Sequence, residues 1–400
     1  MDATLDKSNA CPLHGMRSDS KTAALAAESI KPEPGSRWIR SFGQARELLR
    51  HARLRQSGVE AAPVEKEDPT KASIFFLDGD AHRERRAAIA RFFTPRAIAT
   101  RHMRVIQENT ENLVAELRRD GRARLDDLSL RMAGAVIAEI VGLTSRDVTR
   151  MAKRIEGASR AAMAQRGGLW KLLAAVLARV YALQVLYLDV RPAIAARRAA
   201  RQEDVISRLL DEGRSDVEIL VESLTFGLAG MTTTREFIVV AAWHLFDNEE
   251  LRRRFLDGNE ADQHAILTEI LRLEPVASMI WRDAAEEVVG ITPETIAAGT
   301  RLSFDLRAAN LDETEVGPCP LSLDPDRSRR LKSNGAYMSF GDGEHFCPGW
   351  QVALAETRVF LDRLFRVPGI RLVRAPDMHF VPPMLMSYEL RNAVIACDRG

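Results

Sequence analysis

The chain has 400 residues, with 57 Lys and Arg against 56 Asp and Glu, and a net charge of +1. That balance gives no bulk electrostatic attraction to nucleic acid or to an anionic membrane, and a hydrophobic content of 46% is ample for a large core. The four cysteines, Cys11, Cys319, Cys347 and Cys397, stand far apart without a CxxC pair, which argues against a disulfide framework or structural zinc and for a reducing cytoplasm.

Residues 1–34 lack the apolar core of a secretory signal and read as a flexible tail. Residues 35–400 show no internal repeat and no low-complexity linker, so one mainly helical domain with small sheets is the economical reading. "HRERRAAIARFF" places Ile89, Phe92 and Phe93 at helical spacing, and Thr94-Pro95 then reads as the cap and first position of a second helix. "MRVIQENTENLVAELRRDG" predicts an amphipathic helix that stops at Gly121. Further helices are predicted over "LSLRMAGAVIAEIVGL", from Val217 to Leu228, and over "ADQHAILTEILRLEP" up to Pro275.

Leu172 to Leu188 is the nearest approach to a membrane span, but Arg179 and Gln184 interrupt it and its length is marginal. We expect a buried or partly exposed amphipathic helix and no transmembrane anchor, with a membrane- or partner-facing surface helix as the alternative. Strands are predicted to be short and few: a small hairpin in "EEVVGITPETIAAGTRLSFDL" and one late strand in "YELRNAVIAC".

The chemistry concentrates in "SFGDGEHFCPGW", Ser339 to Trp350. Cys347 stands just before the helical pattern "WQVALAETRVFLDRLF", where helix N–H groups and dipole stabilise a thiolate. Pro348 suits a position whose N–H would be unpartnered. Gly341, Gly343 and Gly349 allow backbone angles closed to other residues and let a large flat ligand approach the main chain. Ser339-Phe340 reads as a strand end. The residues alone leave three readings: an inert buried cysteine, a Cys347–His345 nucleophile pair, and a thiolate ligand to heme iron.

"FGDGEHFCPG" resembles the heme-binding loop of the cytochrome P-450 family, Phe-x-x-Gly-x-His-x-Cys-x-Gly, at Phe340, Gly343, His345, Cys347 and Gly349. Other stretches resemble the family in chain order. His82 and Arg86 match its His-x-x-x-Arg helix, Glu269 and Arg272 its Glu-x-x-Arg, and Arg327 its meander arginine. "AGMTTT", Ala229 to Thr234, is similar to its oxygen-activating helix. There the family's acid is replaced by Thr232, and its threonine falls on Thr233.

The resemblance implies a mostly α triangular-prism fold holding heme b, with Cys347 as metal ligand. Phe340, His345, Gly349, His82, Arg86 and Arg282 would contact the cofactor, and Glu269, Arg272 and Arg327 would form a bracing network. It also implies a monooxygenase that uses dioxygen and electrons from NAD(P)H through ferredoxin reductase and ferredoxin, as in soluble bacterial members, monomeric and cytoplasmic. Gly230 would make room for oxygen, Thr233 would gate protons, and Glu236 is the candidate substitute for the missing acid.

By family correspondence the pocket would draw on Phe75, Phe76, Phe226, Ala229, Ala277, Met279, Ile280, Met384, Leu385 and Met386, suited to a small or medium apolar organic substrate of secondary metabolism or catabolism. Gly167-Gly168 would offer a lid hinge. Thr232 leaves open a peroxide-driven or radical-coupling variant. A non-catalytic heme-binding sensor or recruitment domain is the reading from another class, and degenerate members of that kind tend to lose the cysteine or the Glu-x-x-Arg.

Overall fold

The computed structural model describes residues 18–57, 72–145, 147–163, 169–333, 335–381 and 386–400, and helices make up most of them. Local signals set several boundaries. Thr94 Oγ1 accepts from Ala97 N at 3.2 Å with Pro95 at the first helical position. Gly121, at φ +71°, closes the helix Met103–Asp120 in the left-handed conformation. Ser215 and Glu218 form a reciprocal capping box that opens the helix Asp216–Gly227.

That helix does not end at Gly227. A π-helical turn, Leu228–Thr232, joins it to Thr233–Asp247, so one helical run crosses the molecule. Phe237 to Ala242 are fully shielded within it, packed in the main core with the helices Leu125–Val141 and Trp350–Phe365. The central helix and the cysteine loop are thereby fixed to the same core.

The strands are β1 Arg37–Ile39, β2 Leu54–Ser57, β3 Arg122–Arg124, β4 Ala277–Ala284, β5 Arg301–Asp305, β6 Arg371–Arg374, β7 Asp377–Val381, β8 Met386–Arg391 and β9 Val394–Ala396. One sheet runs β1-β5-β4-β8-β7 with β2 also paired to β4, and the other runs β3-β9-β6. The predicted late strand is therefore two strands in different sheets. Asn392, at φ +61°, turns the chain between them. In the predicted hairpin only Val288 and Ile296 bridge, and β5 pairs instead with β4. Ser339-Phe340 lies in successive turns, with Ser339 N bonded to Ala336 O and Gly341 N to Met338 O, rather than at a strand end.

The expected tail also differs over its described part. Ala23–Ser29 is a helix, and Ala26 and Ile30 pack on Met279 and Trp281. Glu274, fully buried, takes hydrogen bonds from Lys21 N, from Ser20 Oγ at 3.0 Å and from Thr22 Oγ1 at 2.5 Å. A buried carboxylate needs such partners, and this N-terminal segment supplies them. Cys319 is disulfide-bonded, while Cys347 and Cys397 are free. The spacing argument excluded CxxC frameworks but not a bond between cysteines distant in sequence.

Candidate heme-thiolate site

The loop before Trp350 is tied at both ends. Cys347 N donates to Phe340 O at 2.9 Å. The Cys347 sulfur stands by the backbone N–H groups of Gly349 and Trp350, at the start of the helix Trp350–Phe365, and both favour its charged form. Burial pushes the thiol pKa up, while those two amides and the Arg86 charge act in the opposite direction. The sulfur occupies a helix N-terminus, a position that favours an anion once a partner offsets its burial.

The loop glycines have different reasons. Gly341 and Gly343 sit at φ +72° and +71°. A Cβ on Gly343 would lie 2.9 Å from the carbonyl carbon of Leu49 and closer still to its oxygen. Gly349 has an ordinary φ of −85°, against expectation, because it already belongs to the helix start. Its place is one of close approach: a Cβ there would be 3.9 Å from both Cys347 Sγ and the Phe93 ring.

Cationic and donor groups gather around the loop, and two of them, Arg86 and Arg282, meet no protein carboxylate in an ion pair among the described residues. Arg86 donates to Phe346 O. His82, buried, stacks on His345 with ring centroids 4.1 Å apart, and its Nδ1 is without a hydrogen-bond partner. Burial, followed by the His345 and Arg86 charges, pushes its pKa down to about 4. His345 Nε2 lies 3.2 Å from Asp78 Oδ1. Arg282, on β4, is 5% exposed and donates to Trp281 O at 2.7 Å. Among the described residues it forms no ion pair, and desolvation lowers its pKa to about 10.

A buried guanidinium without a carboxylate and an orphaned imidazole nitrogen are costly unless an external anion completes them. Heme carries two carboxylates and a thiolate-seeking iron. Cys347, Arg86, Arg282 and His82 fit that group as a donor set.

The bracing network is closed. Glu269 and Arg272 meet at 2.7 and 2.8 Å, and Arg327 Nε reaches Glu269 Oε1 at 3.0 Å. The two guanidiniums also bond the carbonyls of Asn310, Pro320, Val316, Cys319 and Ser322. All three side chains are buried.

On the central helix, Ala229 is exposed and Thr233 half-buried, one turn apart on one face. Thr233 Oγ1 donates to Ala229 O at 2.5 Å and Thr232 Oγ1 to Leu228 O at 2.6 Å. Both hydroxyl protons are given to backbone carbonyls of the π turn, so each oxygen faces outward as an acceptor. Gly230 points elsewhere. A Cβ there would lie 2.7 Å from Ile137 Cγ1 and closer still to its Cδ1, so the space belongs to the neighbouring helix.

Glu236 does not stand in for the missing acid. Its carboxylate is buried and accepts from Arg235 Nε at 2.8 Å, Arg391 Nη1 at 2.7 Å and Leu390 N at 2.7 Å. These contacts tie the central helix to β8 and leave the group no route to the Ala229–Thr233 face.

The expected pocket residues divide. Phe75 and Phe76 are half-buried, with rings edge to face at 5.0 Å, and Ala277 is half-buried. Phe226 is buried and stacks on Phe93 at 6.3 Å, linking the central helix to the cysteine loop. Met279 and Ile280 are buried on opposite faces of β4. Met279 packs with Ala26 and Ile30, and Ile280 with Ile39, Phe42 and Leu302. Met386 pairs with Met279 through backbone register alone. Met384, Leu385, Gly167 and Gly168 lie outside the described residues.

Two participants escaped the sequence reading. Asp78 looks like a helix cap before Gly79, yet it makes no cap bond and serves His345 and Gln56 N instead. Phe93 read as one position of a helical stripe.

The family model described as Cytochrome P450 matches residues 263–367, the span from the Glu-x-x-Arg helix to the end of the helix after Cys347. Erythromycin C-12 hydroxylase of Saccharopolyspora erythraea is 29% identical over 320 residues, covering 75% of this chain and 74% of that protein. Mycinamicin IV hydroxylase/epoxidase of Micromonospora griseorubida is 27% identical over 346 residues, covering 83% and 82%. Among solved structures, P450BioI bound to a hexadec-9Z-enoic acid-ligated acyl carrier protein superposes with a TM-score of 0.76 at 22% identity, covering 90% of this chain and 91% of that one. A mutant of P450 EryK with erythromycin B gives 0.75 at 23%, covering 96% and 98%.

Proposed function

Because this chain belongs to the cytochrome P450 family, we propose that it is a monooxygenase of bacterial secondary metabolism acting on a small or medium apolar organic substrate. The observation that carries the reading is the Cys347 sulfur at the start of a helix, with Arg86 and buried Arg282 forming no ion pair to a protein carboxylate among the described residues and His82 Nδ1 unpartnered. Bound there, heme b would supply dioxygen activation under a thiolate donor.

The residues divide the remaining work. Arg86, Arg282 and His82 would take the cofactor carboxylates, and Asp78 orients His345. Glu269, Arg272 and Arg327 brace the Glu260–Leu273 helix against the segment that precedes the cysteine loop. Thr233, its proton given to Ala229 O, would offer its oxygen as a hydrogen-bond acceptor at the exposed face of the π turn. Phe75, Phe76, Ala229 and Ala277 offer apolar wall, which supports an apolar substrate.

Electrons would come from NAD(P)H through ferredoxin reductase and ferredoxin in the cytoplasm. Arg46, Arg50 and Arg83, about half exposed beside the cysteine loop, are paired with its Asp342 and Glu344, and an acidic carrier would have to compete for them. The test is the carbon-monoxide difference spectrum of the reduced, heme-loaded protein, followed by substrate-dependent NAD(P)H consumption with a ferredoxin pair. A thiolate-type band with coupled turnover is expected. A band of the histidine-ligated type would overturn the assignment of Cys347.

One observation favours a second reading of the oxygen chemistry. Thr232 stands in the acid position and Glu236 is locked into another network. Proton delivery then rests on hydroxyls and water, and peroxide-driven or coupling chemistry becomes competitive. Thr232→Glu should raise the ratio of product formed to electrons consumed if delivery limits the reaction. An unchanged ratio and product would dispose of this reading.

A further inference from the structure

Between Arg150 and Arg201 stand eleven Lys and Arg but only two acids, Glu156 and Asp189. Seven of these cations are already paired: Arg150 with Asp147, Arg154 with Asp189, Arg160 with Glu156 and Glu389, Arg191 and Arg198 with Asp216, Arg197 with Asp204 and Arg201 with Asp211. Arg179 forms no ion pair among the described residues. Within this segment, the helix Leu169–Val185 and its π-helical extension Leu186–Val190 carry Leu173, Val176, Val180, Leu183, Tyr187 and Leu188. Each is between 44% and 57% exposed. The first five recur at alternating spacings of three and four, so they form one stripe along one side. No acid occurs from Leu169 to Leu188, and Arg179 is exposed near the stripe's middle.

The opposite side belongs to the protein. Gly157 lies so close to the Tyr181 ring that a Cβ there would stand 2.7 Å from it. Val185, Leu186 and Val190 are buried, and Asp189 is buried in an ion pair with Arg154 at 2.5 and 2.9 Å. The helical run Leu172–Ala199 is long and apolar enough to span a bilayer. Spanning would, however, drag the Asp189–Arg154 pair into hydrocarbon and strip the inner face. The geometry is that of a helix lying on a surface.

Six large apolar side chains in one patch mark an interaction site rather than ordinary surface. A two-fold pairing of two copies along the whole stripe has its axis near Val180 and sets Arg179 against Arg179 of the second copy. An anionic lipid surface removes that conflict. It takes the aliphatic stripe into the acyl boundary, seats Tyr187 at headgroup level and gives Arg179, on a stretch without acids, an anionic partner. We infer that the Leu173–Leu188 face docks this protein peripherally on anionic lipid.

The experiment is flotation of the heme-loaded protein with phosphatidylcholine vesicles, with and without about one-third phosphatidylglycerol, at low and high salt. Partition onto the anionic vesicles is expected, weakened by salt and absent from neutral ones. The triple variant V176Q/V180Q/L183Q, its fold checked by circular dichroism and its heme spectrum, should partition about tenfold less or worse. Should that variant misfold, the lipid and salt comparisons on the unaltered protein decide alone. No partition onto anionic vesicles, or equal partition onto both kinds, would overturn the inference. So would a concentration-dependent dimer that the triple variant dissolves, because a second copy would then cover the face. Lipid docking does not depend on the reaction proposed above, and either can fail without the other.

Discussion

Arg391 Nη1 lies 2.7 Å from Glu236 Oε1, joining the last long strand to the central helix beneath the π turn. The pair is the centre of a larger array. Glu156 bonds Arg235 at 3.1 Å, and Arg160 on the same helix as Glu156 reaches Glu389 of β8 at 2.7 Å. Three arginines and three glutamates thus bind the helix Val148–Met163, the central helix and β8 to one another.

Glu236→Gln leaves Arg235 and Arg391 facing a neutral amide in a buried place. We expect a loss of about 3 kcal/mol of folding stability, measured by urea denaturation, with the ratio of product to electrons unchanged in the folded protein. A fall in that ratio at full stability would return Glu236 to the proton path.

Gly230→Ala drives a methyl into Ile137. A cost of about 1–3 kcal/mol is expected, and a double-mutant cycle with Ile137→Ala should recover part of it. A variant of full stability whose oxygen binding alone is impaired would show that the glycine makes room for ligand rather than for the neighbouring helix.

Arg282→Met should have effects of opposite sign on two measurements. Removing a buried charge without an ion partner raises the stability of the heme-free protein by about 1 kcal/mol or more. The same change weakens heme retention, read by transfer of heme to apomyoglobin. A loss on both measurements would mean that Arg282 serves the sheet and not the cofactor.

His82 gives a pH dependence. Its pKa in the folded protein is about 4, against an ordinary 6.5, because burial disfavours the charged ring. Between these values the unfolded chain binds a proton that the folded chain refuses. Stability is therefore full above about pH 6.5 and falls as pH drops toward 4. Heme-free His82→Phe should show a shallower fall over that window in denaturant midpoints. Identical slopes in both proteins would contradict the burial account.

What could be read from the sequence was whatever short-range pattern encodes. The cysteine loop, the Glu269–Arg272 pair with Arg327, the His82–Arg86 spacing and the threonine triplet each announce themselves within a few residues. Long-range packing does not. Met279 and Ile280 look like pocket wall because an apolar strand reads alike whether one face or both are covered. Glu236 looks available one turn from Thr233, and only the arrival of Leu390 and Arg391 from the far end of the chain shows that it is taken. Ser20 to Ile30 look like tail because their partners, Glu274 and Met279, lie some 250 residues on.

Gly343 extends that lesson to the order of assembly. Its backbone rests against Leu49, so the loop that presents the thiolate is moulded on a helix made near the start of synthesis. β1 waits for β5, and β2 for β4, in the same manner. Closing such distant contacts is slow, and the nascent chain cannot seat the Cys347 loop against Leu49 until nearly all of it has left the ribosome. A cofactor held by Cys347 would then be captured late in maturation.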